Sequence, residues 1–252
     1  MASDSRRART AGTASKPLAQ RRMDSLARLV HSYDQGSIRR GETPNPVATA
    51  VGILPRDGKR SQVVVAHNAS NSTQRDMDFG RLWGVAQVLW GDRSAREVAR
   101  ELAPTSGLPN TDHGLSPMRR ITRDLRKLRK TFHGGDDARG GRELRAALHS
   151  AFETGVSYSD RTMSADSGTI HAESALIREG VAGPVGVSKL SCEDCFEYGR
   201  GMGRDGDLRG SHGSQFPGWR NPSTGAVSRT RRILNLNQYA SDSESDSGAE
   251  SS

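Results

Sequence analysis

His171 and Glu173, followed by Cys192 and Cys195, are the residues of this chain whose types and spacing could do chemistry. One imidazole and two thiolates supply three ligands to a tetrahedral Zn²⁺, whose fourth position stays open for water. Glu173 lies two residues beyond the histidine, where it can move protons to and from that water without binding the ion. The pattern therefore predicts a catalytic zinc site.

Two other uses of these residues stay open at the level of the sequence. A C-x-x-C pair also occurs in redox-active sites and as half of a structural zinc knuckle. The chain holds 2 cysteines, so a closed site with three or four thiolates would need another molecule. A redox pair, in turn, does not require an H-x-E motif upstream.

Local sequence predicts the elements that position these residues. Residues 169–179 are expected to form a helix that a glycine ends, with His171 in its first turn. Residues 184–190 are typical of a short buried strand, and Ser191 is expected to cap a second helix that opens at Cys192. This order would bring two helix N-termini to one end of a sheet, where unpaired N–H groups stabilise thiolates.

A hairpin and a long helical region are predicted upstream. Residues 46–54 and 61–68 each form an expected strand, and the Asp57-Gly58 pair is a strong turn signal between them. Residues 76–154 show helical spacing of apolar side chains almost throughout. Residues 225–236 are expected to supply a last strand.

The helix predicted over residues 117–133 is strongly basic, with seven Arg and Lys residues against a single acid, Asp124. Its apolar stripe consists of Ile121, Leu125, Leu128 and Phe132. The basic surface indicates either a phosphate track for a polynucleotide, a surface for an acidic partner protein, or an ordinary solvated face. The candidate phosphate contacts are Arg119, Arg123, Arg126 and Arg129.

Net charge divides the chain into segments. The formal charge is +8, and residues 241–252 carry four acids and no base, so the remainder carries +12. Such a body attracts phosphate backbones through counterion release, although an Arg-rich surface can also serve solubility alone. We expect residues 1–40 to form a basic, largely disordered arm with one short helix in an amphipathic stretch near Met23 to Tyr33, and residues 241–252 to form a disordered tail.

Location follows from what the sequence lacks. No apolar run approaches the ~18 residues needed to span a bilayer, and no continuous hydrophobic stretch of a secretion signal is present. Both cysteines are assigned to metal, which indicates a reducing compartment. We therefore expect a cytoplasmic protein without membrane contact, or an effector delivered into such a compartment.

The hairpin, the H-A-E helix and the strand leading into C-E-D-C together resemble the cytidine deaminase-like superfamily. The resemblance is specific over residues 167–199 and looser over residues 46–72. The basic charge and the Gly-rich stretch after Cys195 are similar to bacterial toxin or effector deaminases of nucleic acid. The resemblance implies a three-layer α/β/α fold with a mixed sheet of four or five strands, in a domain of residues 41–240 with a helical insertion over residues 76–154.

The resemblance also implies an activity, the hydrolytic removal of the exocyclic amine of a nucleobase, with cytosine in DNA or RNA as the expected substrate. It assigns three zinc ligands and one proton shuttle: His171, Cys192, Cys195 and Glu173. Four further residues are candidates to contact the substrate base: Asn68, His212, Phe216 and Trp219. A toxin of this kind would have an immunity protein as a partner.

Two departures from the family pattern and two alternatives complete the expectation. Ser191 stands where the family has proline, and about 45 residues separate Cys195 from the acidic tail, which favours four strands over five. A deaminase of free nucleotides, or of adenine or guanine, would share every catalytic residue. A non-catalytic zinc-dependent module that binds nucleic acid would use the basic helix but would not need Glu173.

Overall fold

The structure of the protein is a computed structural model that describes most of the chain. The H-x-E and C-x-x-C motifs lie at two helices that one strand separates, in the C-terminal part of the described chain. The described residues are 17–31, 48–56, 59–67, 72–103, 117–133, 138–154, 157–158, 170–211, 213, 215 and 218–227.

The described residues form both helices and strands, so the protein is a mixed α/β protein, as the sequence predicted. A short 3-10 turn, Asp205–Asp207, follows the last helix. In chain order the elements are α1 (Leu18–His31), β1 (Thr49–Arg56), β2 (Lys59–His67), α2 (Ser72–Trp90), α3 (Ala95–Leu102), α4 (Pro117–His133), α5 (Ala138–Thr154), β3 (Ser157–Tyr158), α6 (Ala172–Glu179), β4 (Ala182–Val187) and α7 (Glu193–Gly201).

The sheet has the strand order β3-β2-β1-β4. β1 pairs antiparallel with both β2 and β4, so that Val51 lies opposite Val65 on one side and Gly186 on the other. β3 consists of two residues and pairs in parallel with β2. Among the described residues the sheet is therefore smaller than the four or five full strands expected, with three strands of six to nine residues and one short parallel addition.

Alternate residues of the central strands enter two separate hydrophobic cores, because successive side chains of a strand point to opposite faces. Val51, Val63 and Val65 pack with helices α1 to α5. Ala50, Val64 and Ala66 pack with α6, β4 and α7. Burying one such valine contributes about 1.5–3 kcal/mol, so the alternation strongly specifies the register of the hairpin.

Most sequence predictions of local structure are confirmed. The hairpin is present as β1 and β2, although β1 runs two residues beyond the predicted end at Leu54, and the Asp57-Gly58 turn lies outside the described residues. The helical region is confirmed as α2 to α5, and α4 has the predicted bounds. Of the expected last strand, only residues 225–227 are described. They follow a turn at residues 222–224, and Val227 forms one isolated bridge with Arg220 on the other side of this turn.

Helix α1 lies inside the segment expected to be an arm, and it is packed into the core. Leu26 and Val30 are fully buried. A Cβ atom on Gly186 of β4 would overlap the backbone carbonyl of Met23, so the helix lies directly on the strand. The helix begins at Leu18, five residues before the predicted amphipathic stretch, while the remainder of residues 1–40 and the tail at 241–252 lie outside the described residues.

Polar side chains of α1 close the outer edge of β4. The Val187 N–H donates to Asp24 Oδ1 at 3.1 Å, and Gln20 Nε2 donates to the Val185 carbonyl at 3.0 Å. Unpaired edge groups of this kind invite pairing with other chains, so their closure by a helix protects the sheet. Burial raises the pKa of Asp24, against the opposing effects of the Val187 hydrogen bond and the nearby guanidinium of Arg209.

Candidate metal centre

Two of the three candidate metal ligands stand at the N-termini of helices. His171 is the N-cap of α6 and Cys192 is the N-cap of α7, both with extended backbone conformations. Neither side chain caps its own helix, so both are directed elsewhere. Two predictions were therefore wrong: His171 precedes the helix rather than lying in its first turn, and Cys192 rather than Ser191 occupies the capping position, because each helix begins one residue after its ligand.

The path of the chain explains how these N-termini meet. Gly180 ends α6 in the left-handed conformation, as its sequence position predicted, with φ at 81°. The chain then reverses into β4, which is held in the sheet by β1, and Ser188 N–H donates to the Thr49 carbonyl at 2.9 Å. This return brings the start of α7 to the sheet end at which α6 begins.

The structure brings the three predicted ligands together. His171 Nδ1 lies 3.3 Å from Cys192 Sγ and 3.3 Å from Cys195 Sγ, and the two sulfur atoms are 3.2 Å apart. Both cysteines are reduced and buried. Within the described part of the chain, this is the one group of three or more His, Cys, Asp or Glu side chains whose ligand atoms are close enough to hold a metal ion.

The protonation of the cluster favours a soft cation. The hydrogen bond between the Cys192 and Cys195 sulfur atoms, together with the neighbouring His171, lowers the pKa of Cys192 to about 6 against the effect of burial. Burial raises the pKa of Cys195. Burial by itself would lower the pKa of His171. The hydrogen bond to Cys192 and the charge of Glu173 outweigh burial, so the pKa of His171 is raised. Thiolate character therefore develops first at Cys192, and thiolates are the form that binds metal.

Glu173 lies beside the cluster, two residues after the histidine. Its side chain is buried, with 3% of the residue exposed, and its Oε2 atom has no hydrogen-bond partner among the described residues. The carboxylate acts electrostatically on His171 and on both cysteines, which places it near all three. Burying a carboxylate costs several kcal/mol of folding free energy unless a cation or hydrogen-bond donors compensate its charge. A cation or a hydrogen-bond donor within the cluster would therefore stabilise Glu173 in this position.

Trp219 is the one predicted base contact that the structure describes. It is buried in the same hydrophobic core as Cys195 and lines a cleft of about 380 Å³ along the outer face of α7, with Asp194 and Tyr198. The described residues that line this cleft do not include His171, Glu173, Cys192 or Cys195, so the cleft lies beside the cluster rather than over it. The remaining candidates, Asn68, His212 and Phe216, lie outside the described residues.

The predicted phosphate contacts are not near the metal-binding residues. Arg119, Arg123, Arg126 and Arg129 are all exposed on α4. The apolar stripe of this helix enters the core on one face of the sheet, whereas Cys192 and Cys195 belong to the core on the other face. The structure thus separates the two sets of functional residues that the sequence suggested.

A buried hydrogen-bonded chain near the same sheet end was missed at the level of the sequence. His31 Nδ1 and Thr49 Oγ1 are 3.1 Å apart, and Thr49 Oγ1 and His67 Nδ1 are 2.9 Å apart. Burial lowers the pKa of His31 to about 4, helped by the charges of Lys189, His67 and Arg81. The pairing of Thr49 with His67 follows from the hairpin register and could have been found, whereas the arrival of His31 from α1 left no local signal.

Comparisons with protein-family models, curated proteins and solved structures gave no match to this chain. Among the described helices, none is both long enough and apolar enough to cross a bilayer. His171, Glu173, Cys192 and Cys195 remain the residues whose geometry bears most directly on function.

Proposed function

We propose that the protein is a zinc-dependent deaminase that hydrolyses the exocyclic amine of a nucleobase, with cytosine in DNA or RNA as its substrate. The observation that carries this proposal is the buried Glu173 carboxylate, whose Oε2 has no partner among the described residues, beside a cluster of three metal-binding side chains. A structural metal site has no use for such a carboxylate. A hydrolytic site needs it as a general base.

The donor atoms fit zinc in type and nearly in distance. One imidazole nitrogen and two thiolates are ligands that zinc prefers, and three protein ligands leave one position for water. Tetrahedral zinc with ordinary bond lengths would hold the sulfur atoms about 3.8 Å apart and the nitrogen about 3.6 Å from each sulfur. The observed separations are 3.2 and 3.3 Å, so an opening of about half an ångström accommodates the ion.

Each residue then has a defined role. His171, Cys192 and Cys195 would hold zinc, which when bound lowers the pKa of a coordinated water to about 7 and so supplies a hydroxide nucleophile. Glu173 would accept one proton of that water at a carboxylate oxygen and deliver it to the ring nitrogen, and would then carry the remaining proton of the added oxygen to the departing amine. Water and the aminopyrimidine become the oxopyrimidine and ammonia, and Glu173 ends in its starting state.

The order of elements supports a deaminase-like α/β/α fold. A hairpin, a helix that begins after His171, a strand and a helix that begins after Cys192 follow one another in the order expected for the cytidine deaminase-like superfamily. Helices also contribute to a core on each face of the sheet. Four helices, α2 to α5, stand between the hairpin and α6 as the proposed insertion.

The choice of a polymeric substrate rests on charge. A net charge of +8 and a helix rich in exposed arginine favour a polyanion over a free base. A deaminase of free nucleotides, or of adenine or guanine, would use the same metal-binding residues and differ in the walls of its pocket. The buried Glu173 favours either enzyme over a zinc module that only binds nucleic acid.

The proposal is tested by looking for the product. Zinc-loaded protein is incubated with single-stranded DNA and RNA of mixed sequence, and each base is followed by mass spectrometry and sequencing. We expect cytosine to become uracil with the unaltered protein, and turnover to fall by about 10²–10⁴ with Glu173→Gln. Glu179→Gln, on the last turn of the same helix, is the matched control and should keep full activity.

Two results would contradict this function. Zinc-loaded protein that leaves every base of DNA, RNA and free nucleotides unchanged would exclude the deaminase. Turnover that Glu173→Gln does not reduce would remove Glu173 from the mechanism.

A further inference from the structure

Helix α4 presents an unbroken row of cations to solvent. Arg119, Arg123, Arg126 and Lys130 are exposed and are spaced four, three and four residues apart, so they lie along one side of the helix. The row spans 12 residues, with about 16 Å of helix axis between its two ends. Arg129 is exposed beside it. No carboxylate pairs with Arg123, Arg126, Arg129 or Lys130 among the residues that the structure describes.

The one acid of α4 is turned inward and does not neutralise this row. Asp124 is buried, and its Oδ2 lies 3.5 Å from Nε of Arg28 on α1. Arg22, also on α1, donates to the Thr131 carbonyl in the last turn of α4 at 2.6 Å. These two contacts hold α4 on α1 in one orientation, with its acidic residue inside and its cations outside.

The position of α4 separates it from the metal centre. The helix packs on α1 and α3, with smaller contacts to α2 and α5, and α1 in turn packs on β4 and β1. α4 therefore lies about one helix-packing distance, ~10 Å, further from the sheet than α1 does. Because the metal cluster lies in the core on the other face, a base bound there cannot touch α4.

We propose that the exposed row of α4 is a docking surface for the phosphate backbone of a polynucleotide, separate from the metal centre. The inference rests on the proposed function, because it assigns where the same substrate is held. Four of the five cations are arginine, whose planar guanidinium binds phosphate oxygens in a bidentate manner. The apolar stripe is buried in the core, so α4 has no face to insert into a membrane, and a nucleic acid fits the row better than a lipid surface.

The first test measures binding without turnover, so that it stands apart from the test of the proposed function. Fluorescence anisotropy follows a labelled 30-nucleotide single strand and a 30-base-pair duplex over a range of salt. In the α4 variant, glutamine replaces all four of the arginines Arg119, Arg123, Arg126 and Arg129. The matched control, Arg56, Arg142, Arg145 and Arg178→Gln, removes the same charge from exposed positions on other elements.

We expect the α4 variant to weaken binding and to reduce the slope of log K against log salt by up to ~4 for the duplex and ~3 for the single strand. The control should change the slope little. A second variant with lysine at the four α4 positions should retain the slope, which guards against a loss caused by misfolding. Equal slopes for the α4 variant and the control would overturn the proposal.

Two further anions identify the partner class. Polyglutamate and vesicles containing anionic lipid should bind the unaltered protein more weakly than the nucleic acids do. Replacing the four α4 arginines with lysine should change the affinity for these two anions little. If polyglutamate binds as tightly as nucleic acid through the same four arginines, α4 is a surface for an acidic protein and the phosphate proposal fails. Tight vesicle binding that the α4 variant abolishes would likewise overturn it.

A kinetic test checks the separation from the metal centre. On a 30-nucleotide substrate, the α4 variant should raise KM and leave kcat unchanged. On a tetranucleotide, which is too short to reach both surfaces, it should change neither constant. A fall in kcat on the tetranucleotide would place α4 in the catalytic machinery and contradict a separate docking surface.

Discussion

His171 Nδ1 lies 3.3 Å from Cys192 Sγ, although 21 residues separate the two in the sequence. Each residue immediately precedes a helix, and β4 connects the two helices in such a way that both begin at one end of the sheet. The unpaired N–H groups and positive dipole ends of both helices therefore face the cluster. The result is a site that favours anionic side chains and anionic ligands.

The metal content of the protein is the first prediction. Because His171, Cys192 and Cys195 form one cluster, purified protein should hold one zinc per chain by elemental analysis. The double variant Cys192→Ser and Cys195→Ser should lose it, together with the stability that metal binding supplies. Glu173→Gln is the control and should retain zinc. Zinc retained at full stoichiometry in the double cysteine variant would place the metal elsewhere.

The edge of β4 gives a prediction on stability. Replacing Asp24 with alanine removes the acceptor of the buried Val187 N–H and should lower the free energy of unfolding by about 1–3 kcal/mol. Asp24→Asn keeps an acceptor oxygen and should cost less. The exposed Asp92→Ala serves as the control, and urea denaturation measures all three. An Asp24→Ala protein as stable as the control would show that the edge does not need this hydrogen bond.

The contact of α1 with β4 gives a second prediction on stability. Gly186→Ala places a methyl group against the Met23 carbonyl and should destabilise the protein by about 2–3 kcal/mol, because neither backbone can move without separating helix and strand. Gly80→Ala, in an open stretch of α2, should instead be neutral or stabilising by up to about 1 kcal/mol. The thermal unfolding temperature should fall for Gly186→Ala and should stay the same or rise for Gly80→Ala, and a Gly186→Ala protein as stable as the unaltered protein would contradict the close packing.

The buried His31 predicts a loss of stability in mild acid. Its pKa is about 4 in the folded protein and about 6.5 when unfolded, so between these values the unfolded chain binds the extra proton. Stability is therefore intact above pH 6.5 and falls as the pH drops toward 4, by up to about 3 kcal/mol.

The measurement compares unfolding free energies at pH 7.5 and pH 5 for the unaltered protein and His31→Asn. The variant should be less sensitive to pH over this interval, because the other titrating groups, including Asp24, are common to both proteins. Equal pH dependence in the two proteins would mean that His31 titrates normally in the fold.

Local chemistry by itself determined much of this protein. The bounds of α4 follow from Pro117 at its start, the glycines after His133 and the spacing of its apolar stripe, all of which act within a few residues. The end of α6 at Gly180 and the types of the candidate metal ligands could be predicted in the same way. These features depend on backbone conformation and side-chain chemistry that neighbouring residues set.

Tertiary structure alone decided the relationships between distant elements. The sequence around α1 does not indicate that its side chains make hydrogen bonds to distant elements. These are the bonds of Asp24 to the edge of β4, of His31 to Thr49 and of Arg22 to the end of α4. The sequence also could not show that the basic face of α4 and the metal cluster belong to opposite faces of one sheet. Amphipathic periodicity predicts that a helix buries one face, but it does not predict which surface covers that face. The covering surface depends on the packing of the whole core.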